Sequence, residues 1–152
     1  MATVYPLGFM PQAPGTWGSV PGLFVGLALY QWSHLLFDHP LRRILVLALV
    51  LTLLSALALW VIAKTEQAWQ IHDDKRIVID ELVGQAIAVA FYAPNIWVVM
   101  VSFVLFRVLD ISKPGPIGWL DRELPGAWGT LCDDLLAGVV VALFWAVFNL
   151  LL

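Results

Sequence analysis

From Ile44 to Ala63 the chain runs for twenty residues without a charged side chain. As a helix at ~1.5 Å per residue, that stretch is about 30 Å long, the thickness of a bilayer's hydrocarbon core. A chain of 152 residues has room for one domain. Its residues are 61% hydrophobic and only 12% charged, and that charged share is about half the usual one for a soluble domain. A single water-facing core of this size could not hide so much apolar surface. Lipid is the solvent that suits it. Eight Trp and three Tyr fit an interfacial belt, where such rings keep a polar edge in the headgroups. The expectation is an all-α, polytopic membrane bundle forming one domain over residues 1–152.

Leu135 to Leu152 is a second clean span, interrupted only by Asn149. Val20 to Phe37 is weaker, because Gln31, Ser33 and His34 fall within it. Leu82 to Leu109 is too long for one crossing: its 28 residues would make a helix of about 42 Å. Ala93-Pro94-Asn95 breaks it with a turn signal. A short hairpin over 77–111 follows, with arms near Ile77 to Ala93 and Ile96 to Ile111, and about five membrane segments in all. This arrangement puts residues 1–19, 64–81 and 110–134 on one face, together with Lys64, Lys75, Arg76, Lys113 and Arg122. Only Arg42 and Arg43 lie on the other. The excess of basic residues marks the first face as cytoplasmic. The N-terminus lacks a basic n-region, so no cleaved signal peptide is expected. Without basic blocks, no nucleic-acid partner is expected either.

Two apolar helices begin with adjacent acids, Asp80-Glu81 before Leu82-Val83-Gly84 and Asp133-Asp134 before Leu135-Leu136-Ala137-Gly138. In each, an acid lies four residues ahead of a glycine, which places both on one helix face. Glycines let membrane helices approach closely, so four carboxylates could converge. One acid per helix start would satisfy the macrodipole. Two adjacent acids at the edge of hydrocarbon repel one another and are costly to dehydrate, and a cation relieves both problems. Hard oxygen ligands favour magnesium or manganese, so Asp80, Glu81, Asp133 and Asp134 are the candidate metal ligands.

Arg107 and Asp110 are helical neighbours. They either pair to anchor the helix end, or Arg107 binds phosphate while Asp110 orients it or touches the metal. Lys113, ahead of Pro114-Gly115-Pro116, is a snorkelling lysine or a second phosphate ligand. Thr16 and Ser19, in Gly15-Thr16-Trp17-Gly18-Ser19, offer hydroxyls at a helix start that could meet a phosphate or simply cap the helix. His72 is an exposed loop residue or a proton carrier, and Asp73 a further ligand. The chain has no Walker A loop and no G-x-S-x-G elbow, and Cys132 lacks the arginine a cysteine phosphatase would need. Water attack assisted by a metal, with carboxylates as ligands and base, is the chemistry left.

These residues, in this order and spacing from 15 to 138, resemble the phosphatidylglycerophosphatase A family of bacterial membrane lipid phosphatases. The matching stretches are Gly15 to Ser19, His72-Asp73, Ile77 to Gly84, and Phe106-Arg107-Val108-Leu109-Asp110. Lys113-Pro114, Pro116-Ile117, Asp121-Arg122, Gly126, Gly129 and Asp133 to Gly138 complete them. The resemblance implies magnesium-dependent hydrolysis of the terminal phosphate of phosphatidylglycerophosphate, giving phosphatidylglycerol. It also implies a site on the cytoplasmic side of the inner membrane, with Asp80, Glu81, Asp110 and Asp134 catalytic. The phosphate would lie against Arg107, Lys113, Thr16 and Ser19. Asp74-Lys75-Arg76 is more charged than the family leads one to expect. The rival classes are a cation transporter or channel built on the same carboxylates, a phosphoalcohol transferase, and a non-catalytic membrane subunit. The transporter requires acids within the spans, and the transferase a longer run of acids on one helix.

Overall fold

The computed structural model describes residues 1–71 and 74–151. The described residues are helical, without a strand: α1 (Pro14–Leu36), α2 (Pro40–Trp69), α3 (Ile79–Val89), α4 (Ile96–Ser112), α5 (Pro116–Glu123) and α6 (Ala127–Leu151). Three of these helices open on proline, where the missing N–H would have lacked a helical partner anyway. Asn95 caps α4 by accepting a hydrogen bond from the Val98 N–H at 2.9 Å, so the expected break at Ala93-Pro94-Asn95 is a helix start.

α3 is the centre of the bundle, contacting α1, α2, α4 and α6. Its residues from Val83 to Val89 are all buried. That explains why a short segment is apolar on every side: protein, not lipid, surrounds it. α1 reaches α3 through a row of glycines. A Cβ on Gly18 would strike Val78, and one on Gly22 or Gly26 would strike the carbonyls of Leu82 or Ala86. By contrast, α2 turns Leu45, Leu49, Leu53 and Leu57 outward, each more than half exposed. The i, i+4 spacing makes them one apolar stripe along the helix, the surface expected to face lipid.

The hairpin at 77–111 is present as α3, a turn, and α4. Of the about five membrane segments expected, two have the length and apolar character of a span. Among the described residues, α2 and α6 are the helices both long and apolar enough to span a membrane. The eleven residues of α3 extend only about 16 Å, half a hydrocarbon core. α4, with 17 residues, reaches about 26 Å. α1 has the length, but Ser33 and the glycine row are buried within it. A run of apolar residues in the sequence looks the same whether lipid or protein covers it, and here protein covers the hairpin's first arm.

The start of α3 is fixed by the N-terminal segment. The Val78 and Ile79 N–H groups both donate to the Ala2 carbonyl, at 3.0 and 3.2 Å. Ala2 and Thr3 are buried. Arg76 stacks over Trp69 at 4.4 Å and bonds Asp74 at 2.7 and 2.8 Å. The Arg76 side chain holds the Asp74 carboxyl down at about 2, against a smaller upward push from burial. The unusually charged Asp74-Lys75-Arg76 stretch therefore has a structural use, since it pins the loop that leads into α3.

Candidate functional site

Asp80 and Glu81 lie in the first turn of α3. By contrast, α6 begins at Ala127, so Asp133 and Asp134 sit well inside it and not at its expected start. The glycine contact between the two helices decides the separation of the pairs. A Cβ on Gly84 would come within 2.6 Å of the Asp134 carbonyl and 2.7 Å of the Phe106 ring. One on Gly138 would collide with the Gly84 carbonyl. With α3 and α6 that close, ligand oxygens of Asp80, Glu81 and Asp134 fall within 4.8 Å of one another. Asp110, Asp133 and Asp134 form a second such group. Asp134 belongs to both. The carboxylates therefore converge at one end of the bundle, and none lies across it from the others.

They line a cavity of about 410 Å³ with Gly15, Lys75, Arg107, Lys113 and Thr130. Its walls carry three more acids than cations. Glu81 Oε2, Asp133 Oδ1 and Asp134 Oδ1 are buried without a hydrogen-bond partner. Buried carboxylate oxygens normally have partners, and like-charged neighbours in low dielectric repel strongly. Unpartnered hard oxygens at this spacing fit a divalent cation. Arg107 approaches from α4. It bonds Asp110 at 2.5 Å and donates to the Ser19 hydroxyl at 3.3 Å, while its Nε is buried with no partner. Asp110 pairs with Arg107 and also falls within the second carboxylate group.

Ser19 is fully buried. Its hydroxyl donates to the Gly15 carbonyl at 2.9 Å and accepts from Arg107, so it supports the arginine from behind. Thr16 is not part of the cavity wall. Lys113 pairs with Asp133 at 2.8 Å and also with Asp121. It sits in the left-handed region at φ 43°, a conformation that costs a non-glycine residue roughly 1–2 kcal/mol. Burial alone would lower its pKa, but the bonds to Asp121 and Asp133 prevail and hold the ammonium above its ordinary value. His72 and Asp73 lie outside the described residues.

Thr130, Asp121 and Lys75 join the site beyond the candidate residues named from the sequence. Thr130 is one turn before Asp134, hence on its face, and donates to Glu66 at 3.2 Å. Asp121 follows Lys113 across a Pro-Gly-Pro turn that folds the chain back on itself. Lys75 is exposed at the mouth of the cavity.

The chain matches the family described as phosphatidylglycerophosphatase A over residues 1–149. It belongs to that family. Two relatives carry the name Phosphatidylglycerophosphatase A. The one from Escherichia coli is 34% identical over 143 residues, covering 93% of this chain and 77% of its own. The one from Haemophilus influenzae is 32% identical over 140 residues, covering 91% and 80%. A Bacteroides thetaiotaomicron relative named Putative phosphatidylinositol-3-phosphatase is 34% identical over 143 residues, covering 91% and 85%. No solved structure matches the chain. The phosphatidylglycerophosphatase A resemblance first noted in the motifs is therefore a family relationship running nearly the full length of the chain.

Proposed function

We propose that the protein is a magnesium-dependent phosphatidylglycerophosphatase, hydrolysing the terminal phosphate of phosphatidylglycerophosphate to give phosphatidylglycerol. The observation that carries this reading is the pair of carboxylate groups sharing Asp134 beside Arg107 and Lys113, in a chain of this family. Asp80, Glu81 and Asp134 would hold one ion, and Asp110, Asp133 and Asp134 have the donors for another. A bound ion would neutralise charge that develops on phosphate oxygens.

The chain's own residues do the rest. Arg107, braced by Ser19 and Asp110, presents its unused guanidinium edge to the phosphate, and Lys113 supplies a second positive charge. A carboxylate of the cluster accepts a proton from water as its oxygen attacks phosphorus. The ester P–O bond breaks, and the leaving alkoxide takes that proton back from the carboxyl group, releasing inorganic phosphate and the lipid alcohol. Thr16 stands back from the cavity, so we assign it to the start of α1.

We read the protein as a multi-pass protein of the bacterial inner membrane, with α2 and α6 crossing and α3 inserted as a half-helix. The acids sit at the cytoplasmic end with most of the basic residues. The transporter reading has little to recommend it, because residues 135–151 contain no ionisable side chain to continue an ion path. The Bacteroides relative's name keeps a second headgroup in view, since it too is a phosphomonoester on a phospholipid.

Purified protein should release phosphate from phosphatidylglycerophosphate with magnesium and stop when the ion is chelated. A panel including phosphatidylinositol 3-phosphate would show which headgroup is preferred. Asp80→Asn should fold yet be inactive, and near-normal turnover by that variant would count heavily against the assignment. Ser19→Ala removes the brace behind Arg107 and should lower kcat/KM about tenfold, roughly 1.4 kcal/mol. Unchanged kinetics in that variant would show that Arg107 needs no support from α1.

A further inference from the structure

Two apolar grooves flank α6 on different faces. The larger, about 680 Å³, runs past Leu135, Val139 and Ala142 towards α2. The smaller, about 340 Å³, is walled by Leu109, Pro114, Pro116, Ile117, Leu136 and Val140. Its size falls within the roughly 300–1,000 Å³ of ordinary ligand sites. The smaller lies next to the charged cavity, since Pro114 and Gly115 in its wall directly follow Lys113 in the chain. On α6, Leu136 and Val140 lie three and seven residues after Asp133 and share its face; on α4, Leu109 lies four residues before Lys113. Both walls therefore start at the Lys113–Asp133 ion pair and become wholly apolar beyond it.

We propose that this groove holds the first part of an acyl chain of the lipid substrate while the phosphate end turns into the carboxylate cavity. The inference rests on the lipid-phosphatase reading and says how the substrate is seated. A polar headgroup would gain nothing from these walls, which contain no ionisable side chain. The groove opens to the outside of the bundle, with Pro114, Pro116 and Val140 exposed along it. A phospholipid has the matching layout, with phosphate at one end and hydrocarbon next to it. Lys113 stands at the junction, where the lipid's own phosphodiester would pass.

The test uses neighbouring residues with similar exposure, Val139 in the larger groove and Val140 in the smaller. Val139→Trp and Val140→Trp are assayed on octadecanoyl phosphatidylglycerophosphate in mixed micelles and on its water-soluble butanoyl analogue. Val140→Trp should raise KM about tenfold for the long chains relative to the short ones, and Val139→Trp should leave that ratio unchanged. An unchanged ratio in Val140→Trp, or a shift in Val139→Trp instead, overturns the proposal. A change in oligomeric size with no change in the ratio would assign the groove to a second copy of the chain, and also overturns it. Activity on the short-chain analogue reports an intact site. If Val140→Trp loses that activity, Val140→Phe takes its place with the same criteria. Wild-type protein inactive at both chain lengths sinks the lipid-phosphatase reading itself, and the groove assignment falls with it.

Discussion

Asp134→Asn should reduce phosphate release from phosphatidylglycerophosphate by about 10³-fold or more, roughly 4 kcal/mol of transition-state stabilisation. Among the described residues no other carboxylate belongs to both clusters of ligand atoms, so its loss weakens both at once. Asp80→Asn and Asp110→Asn each touch one. The same substitution should make the protein more stable when divalent ions are chelated. Asp134 is almost fully buried, its Oδ1 has no partner, and acids surround it. Removing a buried charge held among like charges relieves repulsion. A gain of about 1 kcal/mol, or some 3 °C in Tm for a chain of this length, is expected. Phosphate release measured with and without magnesium, beside thermal unfolding in a chelator, tests both halves. An inactive variant that is also less stable would mean that Asp134 holds the fold together and is not there for an ion. An active variant would remove it from the chemistry.

Much of this site was legible before any coordinates, and for identifiable reasons. Asp80 and Gly84 share a spacing with Asp134 and Gly138. That repeated spacing states a geometry, acids on the face that also lets two helices touch, and the Gly138–Gly84 contact realises it. Ile44 to Ala63 lies within α2, and Asn95 begins α4. Local signals such as charge-free length and helix caps read through directly.

What did not read through depends on contacts between distant segments. α3 starts at Ile79, where the Ala2 carbonyl takes the Val78 and Ile79 N–H groups, and nothing near residue 79 announces a partner at residue 2. Lys113 was offered as a phosphate ligand, whereas its nearest partners are Asp121 and Asp133. Ser19 was offered as a helix-start hydroxyl for phosphate, yet it turns inward to Arg107, 88 residues away. Residue type set what each group can donate, accept or pair with, and the tertiary packing set which neighbour received it.

Gly138→Ala should cost the protein both activity and stability, and the sign of the stability change is the telling part. In an exposed helix interior, alanine is favoured over glycine by roughly 0.5–1 kcal/mol. Here the added Cβ would run into the Gly84 carbonyl, and would also come within 3.0 Å of the Gly84 carbonyl carbon and 3.2 Å of the Ile87 Cβ. The obstacle is mainly backbone inside a fully packed helix, so no side-chain rotation can clear it. α3 and α6 must move apart. Overpacking of this kind destabilises by about 1–3 kcal/mol, enough to outweigh the gain in propensity. The separation also draws Asp80 and Glu81 away from Asp134, so a cation could no longer reach all three at once. Misplacement of about 1 Å can cost roughly 100-fold in rate, and a loss of that size is expected in phosphate release at saturating magnesium. Unfolding in denaturant and steady-state kinetics on one preparation would decide it. If the alanine variant is as stable as the parent, or more so, and keeps its turnover, the two helices do not meet at Gly84 and Gly138, and the carboxylates cannot be gathered in the way described.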